Sequence, residues 1–332
     1  MLVRSLAGDG VNAAFLLADA AVYQLTALLM SVLPLPVLER FQLPPAGMRK
    51  SGNCAPGRLE LRFILDGGCT RMFAPAQEPP WRAIRAFRNP RGQAVVHLHN
   101  VSGGIVSGDS LRLFMEAGTS TRVQVTSVGA TRIYRQRPGR EVARLSTSIR
   151  VGDGAMLEYL PDVIIPFSGS RFSQSTAVSL GPNAGFIGWE TVAAGRIASG
   201  EEFAFDFFHS ECSVSSGARP LALERYSLMP SARDPRSVAR WGRFRYSTTL
   251  YVCHTGVAQP RWLDLESRLN DLAFRHTSHA ERWGVSALVA GGLVIRGLAL
   301  EAHRITTGLY SFWDLAKQEL WGEPAVPPRK IN

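Results

Sequence analysis

The sequence predicts a mainly β protein, stacked or layered β-sheets built from hairpins, with a few α-helices towards the C-terminus. Three observations carry that prediction. Short runs alternate apolar and polar residues with period two; 31 glycines and 20 prolines in 332 residues cut those runs apart; and spacings of three and four become regular only near the end of the chain. The length gives a soft prior of ~2 domains, although all-β architectures run to about 250 residues as one.

Residues 1–57 differ in composition from the rest and read as an N-terminal extension, with a β domain over 58–332. Residues 20–33 are almost continuously apolar, and Pro34, Pro36, Pro44 and Pro45 follow. The run falls short of the ~20 apolar residues a membrane-spanning helix needs. A signal peptide would want more than Arg4 ahead of Asp9, and a small-residue cleavage site. The expectation is an idiosyncratic extension with Met48 as an alternative start, no membrane association and a cytoplasmic location.

From Arg58, Leu59, Leu61 and Phe63 alternate with Glu60, Arg62 and Ile64, and Asp66-Gly67-Gly68 turns the chain into a second strand. Val95, His97, His99 and Val101 then share one face of an extended run, with Val96, Leu98 and Asn100 on the other; Leu111, Leu113 and Met115 alternate in the next run. The turn between these runs holds Gly103, Gly104 and Gly108 ahead of Asp109. Such a concentration of glycine implies positive φ or close backbone approach, along a path that presents Asp109. Further strands are expected at 121–127, 143–151, 155–160, 185–192, 203–208 and 221–228, recurring too irregularly for a formal repeat. Ile305, Leu309, Phe312, Trp313, Ala316 and Leu320 give a helix stopped by Gly322 and Pro324, and a shorter helix fits 262–274.

The net charge is +10, yet lysine stands only at Lys50, Lys317 and Lys330, and arginine is spread along the whole chain. A nucleic-acid footprint would cluster on one face with stacking aromatics, so no nucleic-acid partner is expected. The positive field suits docking to an acidic protein partner. Cys54, Cys69, Cys212 and Cys253 form no C-x-x-C pair, which fits a reducing compartment. Phosphate-binding loop, dinucleotide fingerprint, nucleophile elbow and H-E-x-x-H are all missing, so nucleotide-hydrolysing and standard hydrolase chemistries have no support. The pairs His97/His99 and His276/His279 have spacings able to grip a metal, but a metal site needs further ligands that spacing alone does not supply.

The carboxylates say more. Asp109 follows the glycine turn, Glu158 and Asp162 flank Tyr159-Leu160-Pro161, and Glu190 follows Gly188-Trp189 inside an apolar strand. Acids in strand interiors are uncommon unless paired or metal-bound. A structural ion pair with Arg132, Arg171 or Arg196 is the plain alternative for Glu158 and Glu190. Two of these acids could also serve a carbohydrate-active β-protein, as a pair roughly 5 to 9.5 Å apart with Trp189 as the sugar platform.

The segments Gly103-Gly104-Ile105-Val106-Ser107-Gly108-Asp109, Gly129-Ala130-Thr131-Arg132-Ile133-Tyr134-Arg135, Leu157-Glu158-Tyr159-Leu160-Pro161 and Gly188-Trp189-Glu190 occur in an order seen in one family. Gly195-Arg196, Ser199-Gly200-Glu201 and the tail Pro324-Ala325-Val326-Pro327-Pro328-Arg329 continue it. From about Arg58 to its end the chain resembles the urease accessory protein UreD, also called UreH. It departs at Asn100-Val101-Ser102, where many members have His-Pro-Pro. The resemblance implies a non-enzymatic scaffold of stacked sheets that joins UreF and the GTPase UreG on the urease apoprotein, with dimers within the accessory complex. It also implies no tightly bound cofactor: nickel is transient cargo, routed through an internal channel. A passage that releases its ion suits isolated carboxylates better than a closed His/Cys cage. Asp109, Glu158 and Glu190 are the residues expected to line it, with Gly103, Gly104 and Gly108 shaping the turn that aims Asp109. A protein-interaction scaffold without metal contact is the neighbouring reading.

Overall fold

The structure, a computed structural model, describes residues 56–328; the apolar run at 20–33 and the alternative start at Met48 lie outside the described residues. The chain opens with the expected hairpin. β1 (Pro56–Asp66) and β2 (Cys69–Gln77) pair antiparallel with Asp66 opposite Cys69. Then follow β3 (Trp81–Arg82), β4 (Phe87–Arg88), β5 (Ala94–Asn100), β6 (Ser110–Ala117), β7 (Arg122–Ser127), β8 (Thr131–Ile133), β9 (Ala143–Val151), β10 (Met156–Leu160) and β11 (Ile164–Pro166). The second half holds β12 (Arg171–Leu180), β13 (Gly185–Ala193), β14 (Phe207–Ser216), β15 (Arg219–Leu228), β16 (Tyr246–His254), α1 (Gln259–His276), β17 (Glu281–Ala287), β18 (Gly292–Ala299) and α2 (Ala302–Trp321).

These strands make two sheets. One runs β15-β14-β12-β9-β6-β1-β2, the other β17-β18-β16-β13-β10-β7-β5-β3, with β11, β8 and β4 pairing beside it. The expected hairpin forms in β1–β2; β14–β15 and β17–β18 are further hairpins, the last in a stretch where no strands are expected from the sequence. Between these hairpins the expectation is corrected. From β6 to β14 the chain coils, laying β6, β9, β12 and β14 parallel in one sheet and β7, β10 and β13 parallel in the other. Each connection carries the chain across to the opposite sheet, so neighbours in sequence do not pair. The turns of successive coils stack instead: Gly152 N donates to Ala117 O at 2.7 Å, and Gly181 N to Val151 O at 2.8 Å.

Alternation along each strand sorts side chains into two cores. Phe186 and Val192 of β13 point between the sheets with Leu61, Leu113, Val125 and Leu157, while Ile187 and Trp189 point the other way, against α1 and α2. The described residues are thus sheet on sheet, with α1 and α2 on the outer face of the larger sheet. Trp262, Leu265 and Leu269 of α1 and Ile305, Phe312 and Trp313 of α2 fill that second core, each contributing about 1.5–3 kcal/mol by burial. Gly322, left-handed at φ 67, ends α2 as expected. The strand expected over 203–208 is displaced to β14: Phe203 has φ 54 and, with Phe205, plugs the space between the sheets beside Trp241. Two buried phenylalanines at a spacing of two imitate a strand there. Among the described residues no helix is long and apolar enough to cross a membrane.

Candidate functional site

Parallel coiling places equivalent positions of successive strands side by side, and two such rows in each sheet are largely polar where the rest of the inner core is apolar. In the smaller sheet Leu145, Gln174, Ser210 and Tyr226 lie in one row, and Thr147, Thr176, Cys212 and Glu224 in the next. In the larger sheet Tyr159, Gly188 and Tyr251 form one row, with Glu190, Thr249 and Arg296 beside it. A polar belt therefore crosses the interior at right angles to the strands.

Its bonds are short and specific. Glu190 Oε1 accepts from the Tyr226 hydroxyl at 2.6 Å, and Oε2 accepts from Ser210 Oγ at 2.7 Å and from Gln174 Nε2. Glu224 Oε2 accepts from the Tyr251 hydroxyl at 3.0 Å and from Arg296 Nη2 at 2.8 Å. Burial pushes the Glu190 carboxyl above its ordinary value; the bonds from Tyr226 and Ser210 oppose the shift and the nearby Glu224 adds to it. Burial likewise pushes the Cys212 thiol up to about 12, with the Glu190 charge adding, so sulfur stands in this belt as a neutral thiol at pH 7.

The belt encloses a cavity of about 70 Å³ lined by Glu190, Cys212, Glu224, Tyr226 and Tyr251. On one side it shares Thr131, Leu145, Tyr159 and Pro161 with a cavity of about 260 Å³ beneath the glycine turn, where His99, Asn100, Gly103 and Gly104 form the wall. On the other side it shares Glu190, Glu224, Tyr226 and Thr249 with an open groove of about 560 Å³. The three spaces thus adjoin one another through shared walls.

The glycine turn is built as its composition suggests, although it joins strands of different sheets. Gly103 and Gly108 have φ of 76 and 90. Gly104 is needed for closeness: a Cβ there would stand 2.5 Å from Tyr134 Cε2 and 2.7 Å from Arg132 O. Gly104→Val is expected to destabilise the domain by about 1–3 kcal/mol, read as a lower denaturation midpoint, because a fixed backbone oxygen cannot retreat. An unchanged midpoint would show that the turn yields.

Of the three sequence-predicted acids, the structure brings only Glu190 to the belt. Asp109 folds back on its own turn, its Oδ2 accepting from Val106 N at 2.9 Å; partial burial raises its carboxyl and that bond lowers it. Glu158 is a correction. It is completely buried on the helix-facing side of β10, where Oε1 accepts from Lys317 Nζ at 2.9 Å and Trp313 Nε1 at 3.0 Å. Oε2 accepts from Gln93 Nε2 at 2.8 Å and Gln124 Nε2 at 3.0 Å, which fills the carboxylate. Glu158 is a structural ion pair, with a lysine where arginine was expected as the partner, and it is separated from the belt by the thickness of the sheet. Glu224, Cys212, Tyr226, Tyr251, Gln174 and Ser210 are belt members that sequence reasoning missed. Their one signal is a polar residue at an inward position of an alternating run, as in Phe208, Ser210, Cys212, Val214.

The histidine pairs do not gather ligands. His97 is buried edge-on to Phe87, and His276 packs on Trp283 and Phe312. Among the described residues no three His, Cys, Asp or Glu side chains come together as metal ligands. Among the described residues the belt offers oxygen donors one after another and no closed cage of ligands.

Comparison with known proteins gives matches that span the described residues. The family model described as UreD urease accessory protein matches residues 55–332. A urease accessory protein UreD of Herpetosiphon aurantiacus is 37% identical over 276 residues, covering 83% of this chain and 96% of the relative. One from Deinococcus radiodurans is 33% identical over 275 residues, covering 82% and 94%, and one from Dechloromonas aromatica is 33% identical over 279 residues, covering 82% and 93%. With a family match over most of its length and relatives covered nearly end to end, the chain belongs to the UreD family of urease accessory proteins.

Proposed function

We propose that the protein acts in urease maturation as a non-enzymatic scaffold, residues 58–332 binding the urease apoprotein together with UreF and UreG, and that nickel crosses it through the polar belt. Family membership supports the maturation role, and the belt supports the transit. Replacing buried polar groups by apolar ones is often neutral or stabilising, so a row of acids, hydroxyls and amides through the middle of a β-sandwich calls for a reason beyond stability. Glu190 and Glu224 stand at the join between the inner cavity and the open groove. A divalent ion at Glu190 would meet two carboxylates without further anionic ligands, which would hold it loosely enough to release it.

The test is Glu190→Gln, which keeps shape and removes charge. Urease matured in cells with this variant is expected to contain less nickel, while the variant still co-purifies with UreF and urease. Its stability has a definite sign. Because the folded-state pKa of Glu190 lies above the ordinary 4.5, ionising it costs stability as the pH rises from that value through the folded pKa. The variant should therefore match the wild type in acid and melt higher above that window. Full nickel content with both Glu190→Gln and Glu224→Gln would overturn transit and leave a scaffold without metal contact. No observation favours the carbohydrate reading: Trp189, the sugar platform it needs, packs on the helix side of the sheet against Tyr310 and Trp313, away from Glu190.

A further inference from the structure

The two sheets do not end together. Glu224 of β15 reaches Thr249 of β16 and Arg296 of β18, so β15 lies above those strands. The larger sheet runs on beyond it through β18 to β17, and its inner face there, Arg282, Gly284, Arg296 and Leu298, is the floor of the 560 Å³ groove. The wall is the free edge of β15, whose strand partner among the described residues is β14 alone. Arg240 and Trp241 close one end. A Cβ placed on Gly284 would meet nothing within 4 Å, so the floor is open.

An uncovered edge ten residues long is a template for another strand. A strand added to β15 would lie ~4.8 Å from it and ~10 Å above the floor, the spacings of paired strands and stacked sheets. Every second side chain would then point down at Arg282 and Arg296. Arg225 and Arg296 have carboxylate partners, Glu211 at 2.6 Å and Glu224 at 2.8 Å. Arg240 and Arg282 donate to the backbone carbonyls of Asp234 and Ser278, and among the described residues neither has a carboxylate within ion-pair distance. The groove thus carries uncompensated positive charge beneath a row of backbone donors and acceptors.

We propose that this groove receives an extended, acidic segment of a partner protein, which adds as a strand to the edge of β15 with carboxylates at alternate positions over Arg282, Arg240 and Arg296. A second copy of this chain fits poorly, because edge-to-edge pairing would set the same arginines against one another. The inference stands on edge, floor and charge, and does not depend on nickel passing through the belt.

The probe is a fluorescein-labelled peptide, Thr-Glu-Val-Glu-Val-Glu-Thr, read by anisotropy against the full chain at low salt. It should bind about tenfold or more tightly than its glutamine counterpart, and lose that advantage as ionic strength rises. Two N-methylated versions separate strand addition from mere charge attraction. Because alternate N–H groups of a strand face opposite sides, methylating one alternate set should abolish binding, and methylating the other should leave it within about twofold. Arg282→Glu should weaken the parent peptide about tenfold. Equal binding by both N-methylated peptides, or equal binding by the glutamine peptide, overturns the proposal. A dimer in sedimentation equilibrium that the peptide cannot dissociate overturns it in favour of a second copy.

Discussion

Glu158→Gln should lower the stability of the domain by about 3 kcal/mol, and by up to about 5 if nothing else compensates Lys317. Both side chains of the pair are essentially dry, with the glutamate 0% and the lysine 1% exposed. Removing the carboxylate leaves an ammonium in the second core with Glu323, 3.6 Å away, as its remaining counter-charge, which places the loss near the lower figure. For a domain of this size the melting temperature should fall by on the order of 10 °C. Glu158→Leu combined with Lys317→Met should recover most of it, since a buried pair replaced by apolar groups of similar volume is close to neutral. A melting temperature within about 2 °C of the wild type for the single variant would show that the pair carries little. This outcome also separates Glu158 from Glu190: one acid fails by unfolding, the other by nickel content.

Gly308→Val is the second substitution with a large expected effect. The indole of Trp283 lies in a slot between Gly297 of β18 and Gly308 of α2, and a Cβ on either glycine would fall closer to the ring than any real contact. The same indole packs on Phe312 with centroids 5.0 Å apart and donates through Nε1 to Glu281 Oε2 at 2.9 Å. A glycine inside a helix costs about 1 kcal/mol relative to alanine, so its presence at this position is explained by the ring it admits. Valine should push α2 off the sheet at a cost of about 3 kcal/mol or more, visible as a lower urea midpoint. Trp283→Leu should reduce the penalty of Gly308→Val, a coupling that a double-mutant cycle reads directly. Additive losses would mean that the ring moves aside freely.

The elements that alternation and caps define were legible: the Asp66-Gly67-Gly68 hairpin, β9 at 143–151, and α2 with its Gly322 stop all stand where the sequence puts them. The coil was not, because alternation reports which face is buried and nothing about which strand lies alongside. Its trace was present all the same. Gly118, Gly152 and Gly181 each begin a turn closed by the residue three further on, Thr121, Ala155 and Ala184, at the same point of three successive coils. Varying loop lengths on the far side hid that recurrence. The same blindness explains the site. Glu190 stood out as an acid within an apolar strand, but Gln174, Ser210, Cys212, Glu224 and Tyr226 come from strands whose register only the coiling sets. Glu158 looked equivalent to Glu190 because parity on one strand does not say which of two cores a side chain enters.

Lys317 also governs chemistry performed on the protein from outside. Among the described residues it is the sole lysine, and its amine is enclosed by Glu158 and the Trp313 ring. A folded domain therefore offers an acylating reagent no amine between residues 56 and 328, whereas an opened one offers a single amine at a known address. Acylation at that address clocks the detachment of α2 from the sheet at one position, without any engineered label.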